Sequence, residues 1–185
     1  MGHRISNRDI MLDDLDDLFQ GEKADCLYSD PPWGLGNLKY WRTMNGQKGV
    51  NVEWIAFLER IKFLYQRHVK GPLFLETGVR FQGDLEGVFG KSDAVYTVIY
   101  NTKLPNMVMC WGAVPRQSPE GTSGIQTPYT VLSTYGTIPN SIFDCCVGLG
   151  IVAKTCKKLG ATCYANELNP KRMAVTQKIL PFETV

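Results

Sequence analysis

Two adjacent prolines constrain this chain more than any other feature. Residues 24–36 read ADCLYSDPPWGLG. The apolar run Cys26-Leu27-Tyr28 predicts a short buried strand. Pro31 and Pro32 end it, because neither a strand nor a helix continues through two successive prolines, and their carbonyls find no local amide partner. The product is a rigid lip with one carboxylate (Asp30), two free backbone acceptors and one large aromatic face (Trp33). Gly34 and Gly36 then let the chain turn away or move. Such a lip suits a flat molecule that bears an amino group. The ring would stack on Trp33, and the amine would donate to Asp30 and to a proline carbonyl.

Around the lip, apolar runs alternate with helical periodicities. Residues 4–9 predict a short strand ending in Asp9, and residues 13–20 an amphipathic helix built on Leu12, Leu15, Leu18 and Phe19 and closed by Gly21. Residues 36–50 lack periodicity and read as a mobile loop. That loop interleaves Lys39, Tyr40, Trp41, Arg42 and Lys48. Basic residues mixed with aromatics suit a strand of nucleic acid; an ordinary surface loop with a few anchors has the same composition. A helix follows Asn51, with Ile55, Leu58, Ile61 and Tyr65 on one face, and Gly71-Pro72 stops it. Strands are expected at 72–77, 95–100, 107–111, 141–146 and 161–166, and helices at 81–89, from 127 with Pro128 in the first turn, at 151–159 and at 171–179. The tight connection 101–106 makes its two strands antiparallel. Residues 115–126, rich in Pro, Gly and Ser, form a loop. The alternation predicts an α/β fold: an open, mostly parallel sheet with one antiparallel strand and helices on both faces. Ligands of such sheets bind beyond the carboxyl ends of the strands.

The 185 residues fit one domain, 1–185, large enough for a full core. Twenty Lys and Arg against 18 Asp and Glu leave a net charge of +2, so bulk charge gives no argument for nucleic acid and a local basic face would be needed. The six cysteines form no C-x-x-C pair, and His3 and His68 supply no zinc spacing. A reduced, intracellular protein without a metal is expected. No apolar run approaches membrane-spanning length and the N-terminus has no apolar signal core, so no membrane partner is expected.

A second constellation lies near the C-terminus. Asp144-Cys145-Cys146-Val147-Gly148-Leu149-Gly150 reads as strand, G-x-G turn and helix start, and Glu167 closes the next apolar run. The turn would bring backbone amides and a helix N-terminus to a ligand. A carboxylate at the next strand end is placed for both hydroxyls of a ribose. The third glycine of the dinucleotide fingerprint is missing, and Lys154 is the nearest cation in sequence. A nucleoside with an amino-acid tail, such as S-adenosylmethionine, suits this better than a dinucleotide. A tight turn and a surface glutamate would have the same sequence.

Together these residues resemble the S-adenosylmethionine-dependent amino-methyltransferases of DNA, in the permuted (beta) class whose catalytic segment precedes the cofactor glycines. Asp30-Pro31-Pro32-Trp33 is similar to the family's catalytic D-P-P-Y/W/F motif, and Phe143-Asp144 through Gly150 to its first cofactor motif. Gln126-Thr127-Pro128 stands where the family has a T-Q-K-P-like segment. Glu167-Leu168-Asn169-Pro170 is similar to the acidic motif of the ribose site. Asp9 is similar to an acid near the cofactor adenine, with Arg8 in place of a glycine. Tyr100-Asn101-Thr102-Lys103 loosely matches the segment that contacts the target base. The resemblance implies a Rossmann-like fold and methyl transfer to the N6 amine of adenine in DNA. It implies Asp30, Pro31, Pro32 and Trp33 as catalytic. Asp9, Asp30, Gln126, Thr127, Pro128, Asp144, Cys145, Cys146, Gly148, Gly150, Glu167, Leu168 and Asn169 would bind the cofactor. Trp33, Lys39, Tyr40, Trp41, Arg42, Tyr100 and Lys103 would meet the substrate.

Two departures stand out. Cys145-Cys146 replaces the family's usual Pro-Phe. Only residues 112–125 stand where family members carry a sizeable target-recognition region. A relaxed target, a recognition subunit or a homodimer would each account for that. Three alternatives remain open: an RNA adenosine methyltransferase, since messenger-RNA enzymes also use D-P-P-W and single strands would suit the basic-aromatic segment; a non-catalytic nucleic-acid-binding subunit that kept the fold; and methylation of cytosine, although cytosine-directed members more often begin the motif with Ser. The expected location is the cytoplasm of a bacterium or of a phage-infected host.

Overall fold

The computed structural model describes residues 2–47, 51–100 and 104–185, Tyr100 and Leu104 by backbone only. Its strands are β1 (His3–Ser6), β2 (Cys26–Ser29), β3 (Leu73–Gly78), β4 (Ala94–Tyr100), β5 (Leu104–Trp111), β6 (Ser141–Asp144), β7 (Thr162–Asn166) and β8 (Phe182–Thr184). They form one sheet in the order β4-β5-β3-β2-β6-β7-β1-β8. Only β5 runs against its neighbours, β3 and β4; every other pairing is parallel. The helices are α1 (Asp16–Phe19), α2 (Gly34–Met44), α3 (Trp54–His68), α4 (Gln82–Phe89), α5 (Gln126–Thr134), α6 (Ile151–Leu159) and α7 (Pro170–Thr176).

Both faces of the sheet are covered, and this explains the unbroken apolar runs. Along β2, Leu27 enters one core with Leu38 of α2, Phe57 and Ile61 of α3 and Leu85 of α4. Its neighbours Cys26 and Tyr28 enter the other, with Val131 and Leu132 of α5 and Val152 and Cys156 of α6. All six cysteines are free, and five of them are buried. No helix among the described residues is long and apolar enough to cross a membrane.

Four local expectations give way. The helix expected at 13–20 shrinks to Asp16–Phe19, because Leu15 takes a left-handed conformation (φ 60°) and Leu12 is 84% exposed instead of joining the apolar face. The loop expected at 36–50 is mostly helix: α2 runs to Met44. Its buried positions include Leu38 and Arg42, one turn apart, and the inward-facing arginine hid the periodicity. In α3 the buried face is Trp54, Phe57, Leu58, Ile61, Leu64 and His68, so Ile55 lies outside it. Strand β8 had no expected counterpart; it gains its place by pairing with β1.

Candidate active site

One cleft of about 200 Å³ opens at the carboxyl ends of β2, β6, β7 and β1, four neighbours in the sheet. Each strand end contributes to its wall: Asp30 to Trp33 after β2, Cys145 and Cys146 after β6, Glu167 and Leu168 after β7, and Arg8 and Asp9 after β1. Helix α2 covers it with Asn37, Leu38, Trp41, Arg42 and Asn45, and Arg172 of α7 closes one side.

At the lip, Asp30 opens to the cleft and accepts a 2.7 Å hydrogen bond from the indole Nε1 of Trp33. The indole therefore holds the carboxylate as well as offering a face. Gly34 follows with φ 73°, and a Cβ there would fall 2.4 Å from the Phe81 ring. The turn into α2 thus needs glycine at that position. The protein packed around Asp30 pushes its carboxyl up, against the Trp33 donor and the positive charge of Arg172. The exposure of Asp30 to the cleft tempers that push.

Glu167 is tied into its loop. One oxygen accepts from the Gly148 amide and the other from the Asn169 amide, both at 2.8 Å. Burial raises its carboxyl, opposed by those amides and by Arg172. Asn169 caps α7 by accepting from the Lys171 and Arg172 amides. Beneath the cleft floor, Asp144 is buried and accepts from Ser29 Oγ at 2.6 Å and from the Cys146 amide at 3.1 Å. Burial pushes it up to about 7.

The structure redistributes several expected roles. The glycine amides face inward: that of Gly148 is taken by Glu167 and that of Gly150 by the Val147 carbonyl. Gly150 packs under α7, where a Cβ would meet Ile179 Cδ1 at 2.4 Å. Asp144, Gly148, Gly150 and Asn169 shape the cleft without lining it. Gln126, Thr127 and Pro128 open α5 and lie outside the lining residues. Asp9 lines the cleft, but its carboxylate accepts four hydrogen bonds, from Arg42 Nη1 (3.1 Å) and Nη2 (2.8 Å), Gln47 Nε2 (2.9 Å) and the Met11 amide (3.1 Å). Those fill its acceptor sites. Burial pushes Asp9 up, yet the Arg42, Met11 and Gln47 bonds win and hold it below its ordinary value. Arg42 is accordingly 4% exposed, its guanidinium committed to Asp9. Lys39 and Tyr40 are exposed on the outer side of α2. Trp41 is half-buried beneath the Arg172 guanidinium, whose carbon lies 3.9 Å from the ring centre. Lys48 and Lys103 lie outside the described residues, as does the side chain of Tyr100.

Sequence reading missed Arg172, Asn166 and Glu76. Arg172 lies on the first turn of α7, yet its guanidinium reaches the glycine turn, 3.6 Å from where a Gly148 Cβ would stand. The turn therefore does have a flanking cation, which sequence proximity alone did not reveal. Asn166 laces three strand ends together: it accepts from Ser6 Oγ (2.8 Å) and the Arg8 amide (3.1 Å) and donates to the Arg8 and Cys145 carbonyls. Its only sequence signal was a polar residue ending an apolar strand.

No family model matches the chain, and no curated protein matches it. Solved structures do. The M1.HpyAVI–SAM complex superposes with a TM-score of 0.69 at 15% identity, over 96% of this chain and 98% of the other. TTHA0409 of Thermus thermophilus, described as a putative DNA modification methylase and complexed with S-adenosyl-L-methionine, gives 0.61 at 13% identity over 99% and 98%. The cytosine-N4-specific PvuII DNA methyltransferase gives 0.64 at 10% identity over 100% and 94%. By shape, the chain has the Rossmann-like α/β fold of these methyltransferases.

Proposed function

We propose that the chain is an S-adenosylmethionine-dependent methyltransferase that acts on the exocyclic N6 amine of adenine in DNA. One observation carries the reading: the Asp30–Trp33 lip and the Glu167 loop face a single cleft, on a fold shared with DNA methyltransferases. The residues fit the cofactor. The two oxygens of Glu167 accept from the Gly148, Asn169 and Leu168 amides, and of their roughly four acceptor sites one remains for a ribose hydroxyl. Leu168 lies beside it to flank a ring, and Arg172 offers a cation for the amino-acid carboxylate. Asp9 does not fit the role of a free acceptor; its part is to hold Arg42 and, through it, α2.

When bound, the cofactor supplies an electrophilic methyl group on a sulfonium. The chain contributes placement. Asp30 and the Pro31 carbonyl accept the two amine hydrogens and favour the geometry that frees the nitrogen lone pair. Because Trp33 already donates to one Asp30 oxygen, the other is left for the amine. Catalysis then rests on positioning and electrostatics rather than on a covalent intermediate. A base in a duplex must first be flipped, at a few kcal/mol. Stacking against the half-buried Trp33, worth roughly 1–3 kcal/mol, offsets much of that. Lys39 and Tyr40, exposed on the outer side of α2, are available to a nucleic-acid backbone. Residues 112–125 are too few for a recognition domain, so a relaxed target, a partner subunit or a second copy accounts for the choice of site.

The test is mass spectrometry of nucleosides from the DNA and RNA of cells expressing the chain. N6-methyladenine in DNA is the expected result. The likeness to a cytosine-N4-specific enzyme favours one second reading, in which the same lip accepts the N4 amine of cytosine; N4-methylcytosine would establish it. Methylation confined to RNA would move the substrate, and an absence of any methylated base would sink the proposal.

A further inference from the structure

Behind the lip lies a buried polar cluster that the mechanism above does not use. Tyr28 pairs with Phe74 across β2 and β3. Two residues further along, Glu76 lies on that same face of β3, and Asp30 stands just past the end of β2. Glu76 is 8% exposed and Asn106 fully buried. Glu76 accepts from the Tyr28 hydroxyl at 2.9 Å and from the Asn106 amide nitrogen at 3.1 Å. The other end of that amide, Asn106 Oδ1, is buried without a hydrogen-bond partner. Among the described residues, no group of acids, cysteines and histidines is disposed to hold a metal ion.

We infer that Glu76 is a positioning residue for Asp30, holding the one proton that these neighbouring carboxyls share so that Asp30 remains the ionised acceptor of the substrate amine. The inference rests on the methyltransferase reading of the lip. Two carboxylates on neighbouring segments of the sheet do not both ionise readily in a low-dielectric site. The surroundings decide which one keeps the proton. Asp30 has the indole donor, the charge of Arg172 and the open cleft. Glu76 has only two neutral donors, Tyr28 and Asn106, and faces the carboxyls of Asp30 and Asp144. No cation among the described residues pairs with it. Burial and those two acids raise its proton affinity, burial most. The unpartnered Asn106 oxygen completes the case. A half-turn of the amide would present it to a Glu76 hydroxyl, so the cluster serves the protonated acid as well as the carboxylate.

Infrared difference spectroscopy of the cofactor-free chain tests this without turnover. At neutral pH, wild type minus Glu76→Gln should show one protonated carboxyl. In Asp30→Asn, the deprotonation of Glu76 should move down by about one pH unit or more, because its charged neighbour is gone. In kcat against pH, Glu76→Gln should lose an inflection above neutrality that wild type shows. A difference spectrum without a carboxyl band would overturn the inference, as would a Glu76 titration indifferent to Asp30→Asn. If Glu76→Gln does not fold, the Asp30→Asn titration decides alone. Because the infrared arm needs no methyl transfer, its failure is distinct from failure of the proposed function.

Discussion

Asp30 and Glu167 face the same cleft but should fail in different ways. Asp30→Ala removes the amine's acceptor and should lower kcat by about 10²–10³-fold or more, while calorimetry shows a cofactor Kd within about threefold of wild type. Full activity in that variant would end the assignment. Glu167→Gln should instead weaken cofactor binding by about tenfold, the loss of one charged hydrogen bond of about 1.4 kcal/mol; an unchanged Kd would count against its ribose role. Asp30 must be ionised to accept, and its surroundings raise its proton affinity. Activity should therefore fall as pH drops, beginning nearer neutrality than the value of about 4 for a free carboxyl. Both residues were legible in sequence, because each acts through its local backbone: two prolines on one side and a strand end on the other. Arg172, Asn166 and Glu76 were not, since their roles exist only once β2, β3, β6, β7 and β1 are in register.

At the scale of elements, α2 shows how a functional contact hides a structure. Its turn-to-turn neighbours Leu38 and Arg42 both point inward, and only the fold shows that the arginine has a carboxylate to meet. The pair holds α2 over the cleft. Arg42→Ala leaves the Asp9 carboxylate without its cation, which should cost about 1–3 kcal/mol and lower Tm by roughly 2–12 °C; a further Asp9→Asn change should restore part of the loss. Calorimetry of the two variants measures it. Helix α6, in contrast, was legible to its ends because glycines flank it, but the task of Gly150 was not. Gly150→Ala should destabilise by clash with Ile179 as well as by its φ of 80°. Adding Ile179→Ala should relieve the closest clash and leave the tight Thr176 contact and the strain of about 1–2 kcal/mol, a split that chemical denaturation can resolve.

For the whole molecule, the alternation of strands and helices in the sequence implied the parallel sheet, and the tight connection 101–106 implied its antiparallel pair. It was silent about β8, whose three residues carry no pattern. Opposed carboxyls also set how stability varies with pH. Asp144 and Glu76 hold protons more tightly folded than unfolded, so their contribution is full below about 4 and is lost as pH rises past about 7. Asp9 and Asp25 are held low, and their contribution is lost as pH falls below about 4. Tm scanned against pH should therefore peak near pH ~5; a peak at or above about pH 8 would contradict this balance. The pairing of β1 with β8 has a consequence of another kind. The first and last strands lie side by side and parallel, His3 against Phe182 and Ile5 against Thr184. A linker about one short strand long, roughly 10 Å, would join the ends. Opening the exposed segment near residues 116–118 would then place Gly148 ahead of Asp30 in chain order while every strand kept its neighbours. The cleft is a property of sheet adjacency, and the order in which the ribosome supplies its parts is free to vary.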